Sequence, residues 1–168
     1  MALPSWSLVT RGKNRSVSNS LPTHFCARDS DVLLSWSLVK QTIQTNARLI
    51  NQLHARINEA FAVRTRTQED FEAWQCACTE FHKRYDALAF PGGLKQAYTK
   101  IRDGDLPTVE TAISFLETHP YFHCSQYIAT KLTRLLKRHT LPARLQDRLD
   151  IVLTAKRAHN QSRRARSS

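Results

Sequence analysis

Cys78 and His82 stand four residues apart in a stretch of helical periodicity, so both side chains can face one point. His119, His123 and Cys124 form a second such group further along. Two pairs of this kind offer the donor types of a tetrahedral zinc site. The spacing argues for a blander role. There is no C-x-x-C, and Cys78 lies in an apolar seam between Trp74 and Phe81, where a free thiol packs as a small hydrophobe. No metal ligand is assigned.

Cys124, beside His123 and near the expected start of a helix, is the best-placed thiol for nucleophilic catalysis. Adjacent helical residues diverge by about 100°, so His123 is not its natural base. The chain has no G-x-S-x-G, no H-E-x-x-H and no glycine-rich phosphate loop. Gly92-Gly93-Leu94-Lys95 could hold an anion on free helix amides, yet Pro91 before it reads as the punctuation of a helix joint. No catalytic residue and no cofactor are expected.

Positive charge is the stronger signal. The formal net charge is +11, with the excess at the two ends and the middle near balance. Lys131, Arg134 and Arg138 are spaced three and four apart, one stripe opposite Ile128, Leu132 and Leu135. Lys137 flanks it, and Arg144 and Arg148 repeat the spacing on the next expected helix. Arg163, Arg164 and Arg166 follow at the end of the chain. The expected anionic-partner surface is therefore Lys131, Arg134, Lys137, Arg138, Arg144 and Arg148. Such cations attract phosphate without choosing a sequence. A solvated outer face is the alternative reading. The aromatics Phe115, Tyr121, Phe122 and Tyr127 read as packing at a helix corner, with a peptide groove as the alternative.

These residues need elements to carry them. Four Gly and six Pro in 168 residues are too few turn formers for a sandwich or barrel. No apolar run reaches the roughly 18 residues of a membrane span. The four cysteines, without a secretory h-region before them, suit reduced thiols in the cytoplasm. Residues 1–30 read as a disordered basic extension; an organellar transit peptide over 1–28 is the minor alternative.

From Val32 the chain shows a heptad seam: Trp36, Ile43, Ile50 and Ile57, with Val39, Asn46, Leu53 and Ala60 between them. Asp29 or Ser30 is its expected cap. Thr67 and Asp70 approximate a capping box before a second seam of Phe71, Trp74, Cys78, Phe81, Tyr85 and Leu88. Two seams with a short link predict an antiparallel helical hairpin over 31–90. Shorter helices follow over 94–158, with Pro107, Pro120 and Pro142 each opening one. Residues 160–168 read as a disordered basic tail.

The segments CTEFHKRYDALAFPGG (78–93) and AISFLETHPYFHCSQYIATKLTRLLKR (112–138) resemble a group of small, uncharacterised bacterial helical proteins. Helices 107–118, 120–138 and 142–158 are also loosely similar to HEAT-type helical arrays. The resemblances imply helical architecture and carry no activity.

The expectation is an all-α fold: a long antiparallel hairpin packed on a small bundle or short array of three to four helices, in one domain over 31–159. The expected function is a non-enzymatic helical interaction module with a protein partner. A sequence-nonspecific nucleic-acid binder is the alternative, and a thiol- or metal-dependent enzyme the third. No membrane partner is expected. The 36–60 seam could instead recruit a second copy of the chain.

Overall fold

The computed structural model describes residues 27–166, with side chains from Trp36 onward except Arg163. All regular structure there is helical, in the order α1 (Ala27–Val63), α2 (Gln68–Ala89), α3 (Leu94–Arg102), α4 (Leu106–Thr118), α5 (Ser125–Leu136) and α6 (Ala143–Arg166). The fold is all-α. The expectation for residues 1–26 lies outside the described residues, and 27–30 are already helical. Asp29 and Ser30 therefore sit within α1 rather than before it.

Contacts between α1 and α2 run in opposite chain directions: Phe61 meets Trp74, Arg56 meets Glu80 and His54 meets Phe81. The link is closed at α2 by Thr67, whose hydroxyl accepts from the Asp70 amide at 3.1 Å and donates to the Asp70 carboxylate at 2.8 Å. That satisfies one of the orphan amides of the first turn. The buried face of α1 is Ile43, Ala47, Ile50 and Leu53. Asn46, expected in the seam, is only half-buried, and Ala47 beside it is closed. The reason is that α1 packs against α4 as well as α2, so its covered face is wider than a two-helix seam. Ile43, Ile50 and Leu53 are thereby covered within the single chain.

Helix α4 is the centre. It touches α1, α3, α5 and α6, and Val109, Ala112, Ile113, Ser114, Phe115 and Leu116 are all buried. A helix apolar around most of its circumference must be surrounded, and this one is. Asp105 caps it, accepting from the Thr108 amide at 3.1 Å, and Pro107 occupies its first turn as expected. It ends at His119, which adopts a left-handed φ of 47°. Pro120 then acts as a stop after the cap rather than as the start of the next helix. Residues 119–124 form a loop, and α5 begins only at Ser125. The sequence reading of a helix opened by Pro120 is corrected accordingly. Pro142 does precede α6, which continues to Arg166; residues 160–166, expected in a disordered tail, are helical.

Between α2 and α3 the Pro91-Gly92-Gly93 joint turns the chain, with Gly92 at φ 82° and Gly93 at φ 90°. The amide of Lys95 on α3 donates to the Asp86 carboxylate at 3.1 Å. The anion that this helix start could hold is thus supplied from within the fold.

One polar network ties three helices together. Glu117 on α4 accepts from Arg148 of α6 at 2.8 and 2.9 Å, and its carboxylate lies 2.7 Å from Lys40 of α1. Arg148 also donates to Ser114, which is buried, at 3.1 Å and reaches Glu110 at 3.4 Å. Burial alone would raise the Glu117 carboxyl; hydrogen bonds from Arg148 and Lys40 outweigh it and hold the group below its ordinary range. A carboxylate depressed in the folded chain adds stability above its unfolded value, about 4.3. That contribution is lost as pH falls through the folded value. Thermal unfolding followed by circular dichroism should therefore show a midpoint that drops on acidification below about pH 4. In Glu117→Gln this acid limb should be shallower. An acid limb identical in the two proteins would contradict the assignment.

Candidate functional surfaces

The expected cationic surface divides when its residues are placed. Arg148 is turned inward, its side chain only 14% exposed, and its donors are taken by Glu110, Ser114 and Glu117. It is a structural cation, and its place in the anion-binding set is corrected. The i, i+4 spacing of Arg144 and Arg148 marked one helix face correctly, but that face meets α1 and α4. Trp36 on α1 is stacked beneath both guanidiniums, 4.1 Å from Arg144 and 4.4 Å from Arg148. Such cation–π contacts contribute about 0.5–2 kcal/mol each, depending on desolvation. Arg144 keeps its exposure while making this contact.

Lys131 is half-buried with its ammonium 3.9 Å from the centre of the Tyr98 ring. Burial pushes the Tyr98 phenol up to about 12, helped by Tyr127, Tyr85 and Asp86, so the ring stays neutral under its cation. Arg134, Lys137 and Arg138 remain exposed at the end of α5, without an ion-pair partner among the described residues. Of the six cations expected to act together, these three are the ones left open to solvent and unengaged.

The His/Cys residues come together differently from their sequence spacing. His123 stacks on His54 of α1, ring centres 4.9 Å apart and planes 17° from parallel. Phe81 of α2 lies against both imidazoles, at 5.9 and 6.1 Å. His54 had no signal in the sequence, since its partner is far along the chain and it stands outside the heptad seam of α1. His82 is exposed and contacts the edge of Phe81, while Cys78 is half-buried in the hairpin. No group of three or more His, Cys, Asp or Glu with metal-holding geometry occurs among the described residues.

The loop over 119–124 is held by side chains of the hairpin. Asn51 donates to the Tyr121 carbonyl at 2.8 Å, and the Tyr85 hydroxyl donates to the His123 carbonyl at 2.7 Å. Burial, with Cys124 nearby, pushes the Tyr85 phenol up to about 12, so it remains a donor at any physiological pH. The loop contains two non-glycine residues in the left-handed region, His119 at φ 47° and Cys124 at φ 66°. Each costs roughly 1–2 kcal/mol, and such strain persists only where surrounding contacts over-determine it. The aromatic corner splits as well. Phe115 and Phe122 pack edge to face at 6.3 Å inside the core, whereas Tyr121 and Tyr127 are 84% and 67% exposed.

Beside this loop lies a groove of about 750 Å³ between α4, α5 and α6, floored by Phe115, Leu116, Val152 and Leu153. A third feature is the far end of the hairpin. No residue from His54 to Cys76 is buried. Phe61, Phe71 and Trp74 nonetheless gather there, with ring centres 6.2 Å apart for Phe61–Trp74 and 5.7 Å for Phe71–Trp74. Arg64 covers Phe61 at 3.4 Å and donates to its carbonyl at 2.7 Å. The chain matches no protein-family model, no curated protein and no solved structure.

His119 gives the local account a direct test. Its position after the last turn of α4 favours glycine, which takes a positive φ without steric cost. His119→Gly should raise stability by roughly 0.5–1 kcal/mol in urea unfolding, with an unchanged helical spectrum. A destabilised His119→Gly would show that the imidazole contributes more than the strain costs.

Proposed function

We propose that the protein is a non-enzymatic helical interaction module that grips a protein partner with the free end of its α1–α2 hairpin. The observation that carries this reading is the aromatic group of Phe61, Phe71 and Trp74 on a stretch with no buried residue, where Phe61 is 48% exposed and Phe71 is 37% exposed. Two helices alone cannot enclose three large rings, and a partner surface would complete their burial. Aromatic residues beside an arginine are the side chains that most often dominate protein interfaces. Arg64 stands over Phe61, and the surrounding charges are mixed, with Arg56, Arg66, Glu69, Asp70 and Glu72 nearby in sequence. Mixed charge supports an apolar anchor rather than electrostatic attraction as the source of affinity.

A photo-crosslinking amino acid at the exposed Ala62, in the full-length protein in cells, should give a discrete adduct with one or a few proteins. The double variant Phe61→Ala/Phe71→Ala should lose it by at least about tenfold, since anchor truncations cost on the order of 1–2 kcal/mol or more each. The helical spectrum should be unchanged. Equal adducts from variant and wild type, or from a probe moved to Ile151, would count against the hairpin end.

Sequence-nonspecific nucleic-acid binding is a second reading, favoured by one observation: Arg134, Lys137 and Arg138 are exposed and unpaired among the described residues. Three phosphate contacts give a slope of about −2.7 in log affinity against log salt. Binding to oligonucleotides that does not weaken with salt would remove this reading.

A further inference from the structure

The groove beside the 119–124 loop has a chemistry that neither the hairpin end nor the α5 cations share. Its floor is apolar: Phe115 and Leu116 from α4, Val152 and Leu153 from α6. Its volume of about 750 Å³ falls in the range of small-molecule sites. The polar side chains at its walls include Lys156, His119 and His159, and none of the residues lining it is an aspartate or glutamate. Lys156 brings positive charge, and the imidazoles bring ring N–H donors. Helix α5 starts at the same wall, where Ser125 and Gln126 line the groove. That helix has no side-chain cap, so the positive end of its peptide dipole is not offset by an N-cap oxygen.

His119 supplies an independent pointer. It holds a left-handed backbone on the groove wall, and the loop behind it is fixed by Asn51 through the Tyr121 carbonyl. A strained residue held in place by its surroundings is a mark of sites that use it. A cationic ligand or a metal ion would find no carboxylate here. An uncharged apolar ligand would leave the Lys156 side and the imidazoles unused.

We propose that this groove binds a small organic anion with an apolar body, a carboxylate on a hydrocarbon chain or ring. The carboxylate lies toward Lys156, with the imidazoles of His119 and His159 as further donors, and the hydrocarbon lies over Phe115, Leu116, Val152 and Leu153. The proposal uses no residue of the hairpin end, so either can fail without the other.

The test is titration of the full chain with octanoate, followed by amide NMR shifts and calorimetry. With about ten non-hydrogen atoms, a ligand of this size should bind saturably with a Kd of about 1 mM or tighter. Shifts should concentrate in residues 115–129 and 152–160. Octylamine and 1-octanol should bind at least about tenfold more weakly, since they lack the charge that the rim recognises. Lys156→Glu should weaken octanoate by at least about tenfold. Ala155→Trp, which fills the groove from an exposed position, should abolish binding. Phe61→Ala/Phe71→Ala should bind octanoate like the wild type. Absence of saturable shifts up to about 10 mM, equal binding of 1-octanol, or full binding by Ala155→Trp would each overturn the proposal. Should Lys156→Glu lose helical content, Lys156→Gln carries the same comparison.

Discussion

The carboxylate of Glu117 is held from two sides, by Lys40 on the first helix and by Arg148 on the last, and it projects from α4, the helix packed against α1, α3, α5 and α6. Removing water from Glu117 and Arg148 is costly, and the arrangement is tolerable because the two charges pair while Lys40 reaches the carboxylate from a more exposed side. Arg148 spends its donors on Glu117, Ser114 and Glu110 and rests against Trp36. Helices α1 and α6 are thereby tied to α4. Ile113, Phe115, Leu132 and Leu149 belong to one buried apolar cluster, and hydrophobic attraction by itself is non-directional and prefers no single rotation of α6. A charge pair with defined geometry does set one, which is the specificity role that polar core groups can serve.

That constraint reshapes the distribution of positive charge. A stripe of six cations on two helices would suggest an extended anionic footprint. Arg148 is consumed by the fold, Arg144 lies on Trp36 and Lys131 lies on Tyr98. Of those six, Arg134, Lys137 and Arg138 are the ones both exposed and without a side-chain contact among the described residues. Function is better sought where the fold leaves something incomplete: aromatic rings on a two-helix end with no core, and an apolar groove edged by donors without an acid.

The helix types and the hairpin were legible because their signals are local. The Thr67 cap, Pro91-Gly92-Gly93 and Pro107 act through neighbouring residues and the structure uses each of them, while the heptad seam is followed at Ile43, Ile50 and Leu53. Pro120 misled because proline serves equally before a helix and after one, and His119 in the left-handed region decided between them. The reach of α6 to Arg166 also escaped, since its last turns lack apolar periodicity. Tertiary partnerships were illegible for a different reason. Nothing near Arg148 in sequence signals Glu117, and nothing near His123 signals His54. Charge on an amphipathic helix reads as outward-facing unless its partner on another helix is known. The groove likewise exists only after α4, α5 and α6 meet.

Arg148 is a structural partner of Glu117 rather than a free surface cation, and the docking of α6 on α4 rests on that pairing. A double-mutant cycle with Glu117→Gln and Arg148→Met, read by urea unfolding at neutral pH, isolates their coupling. A favourable coupling energy of about 1–3 kcal/mol is expected for a pair this shielded. A coupling near zero, within about 0.3 kcal/mol as for independent sites, would return Arg148 to the surface and contradict the arrangement described.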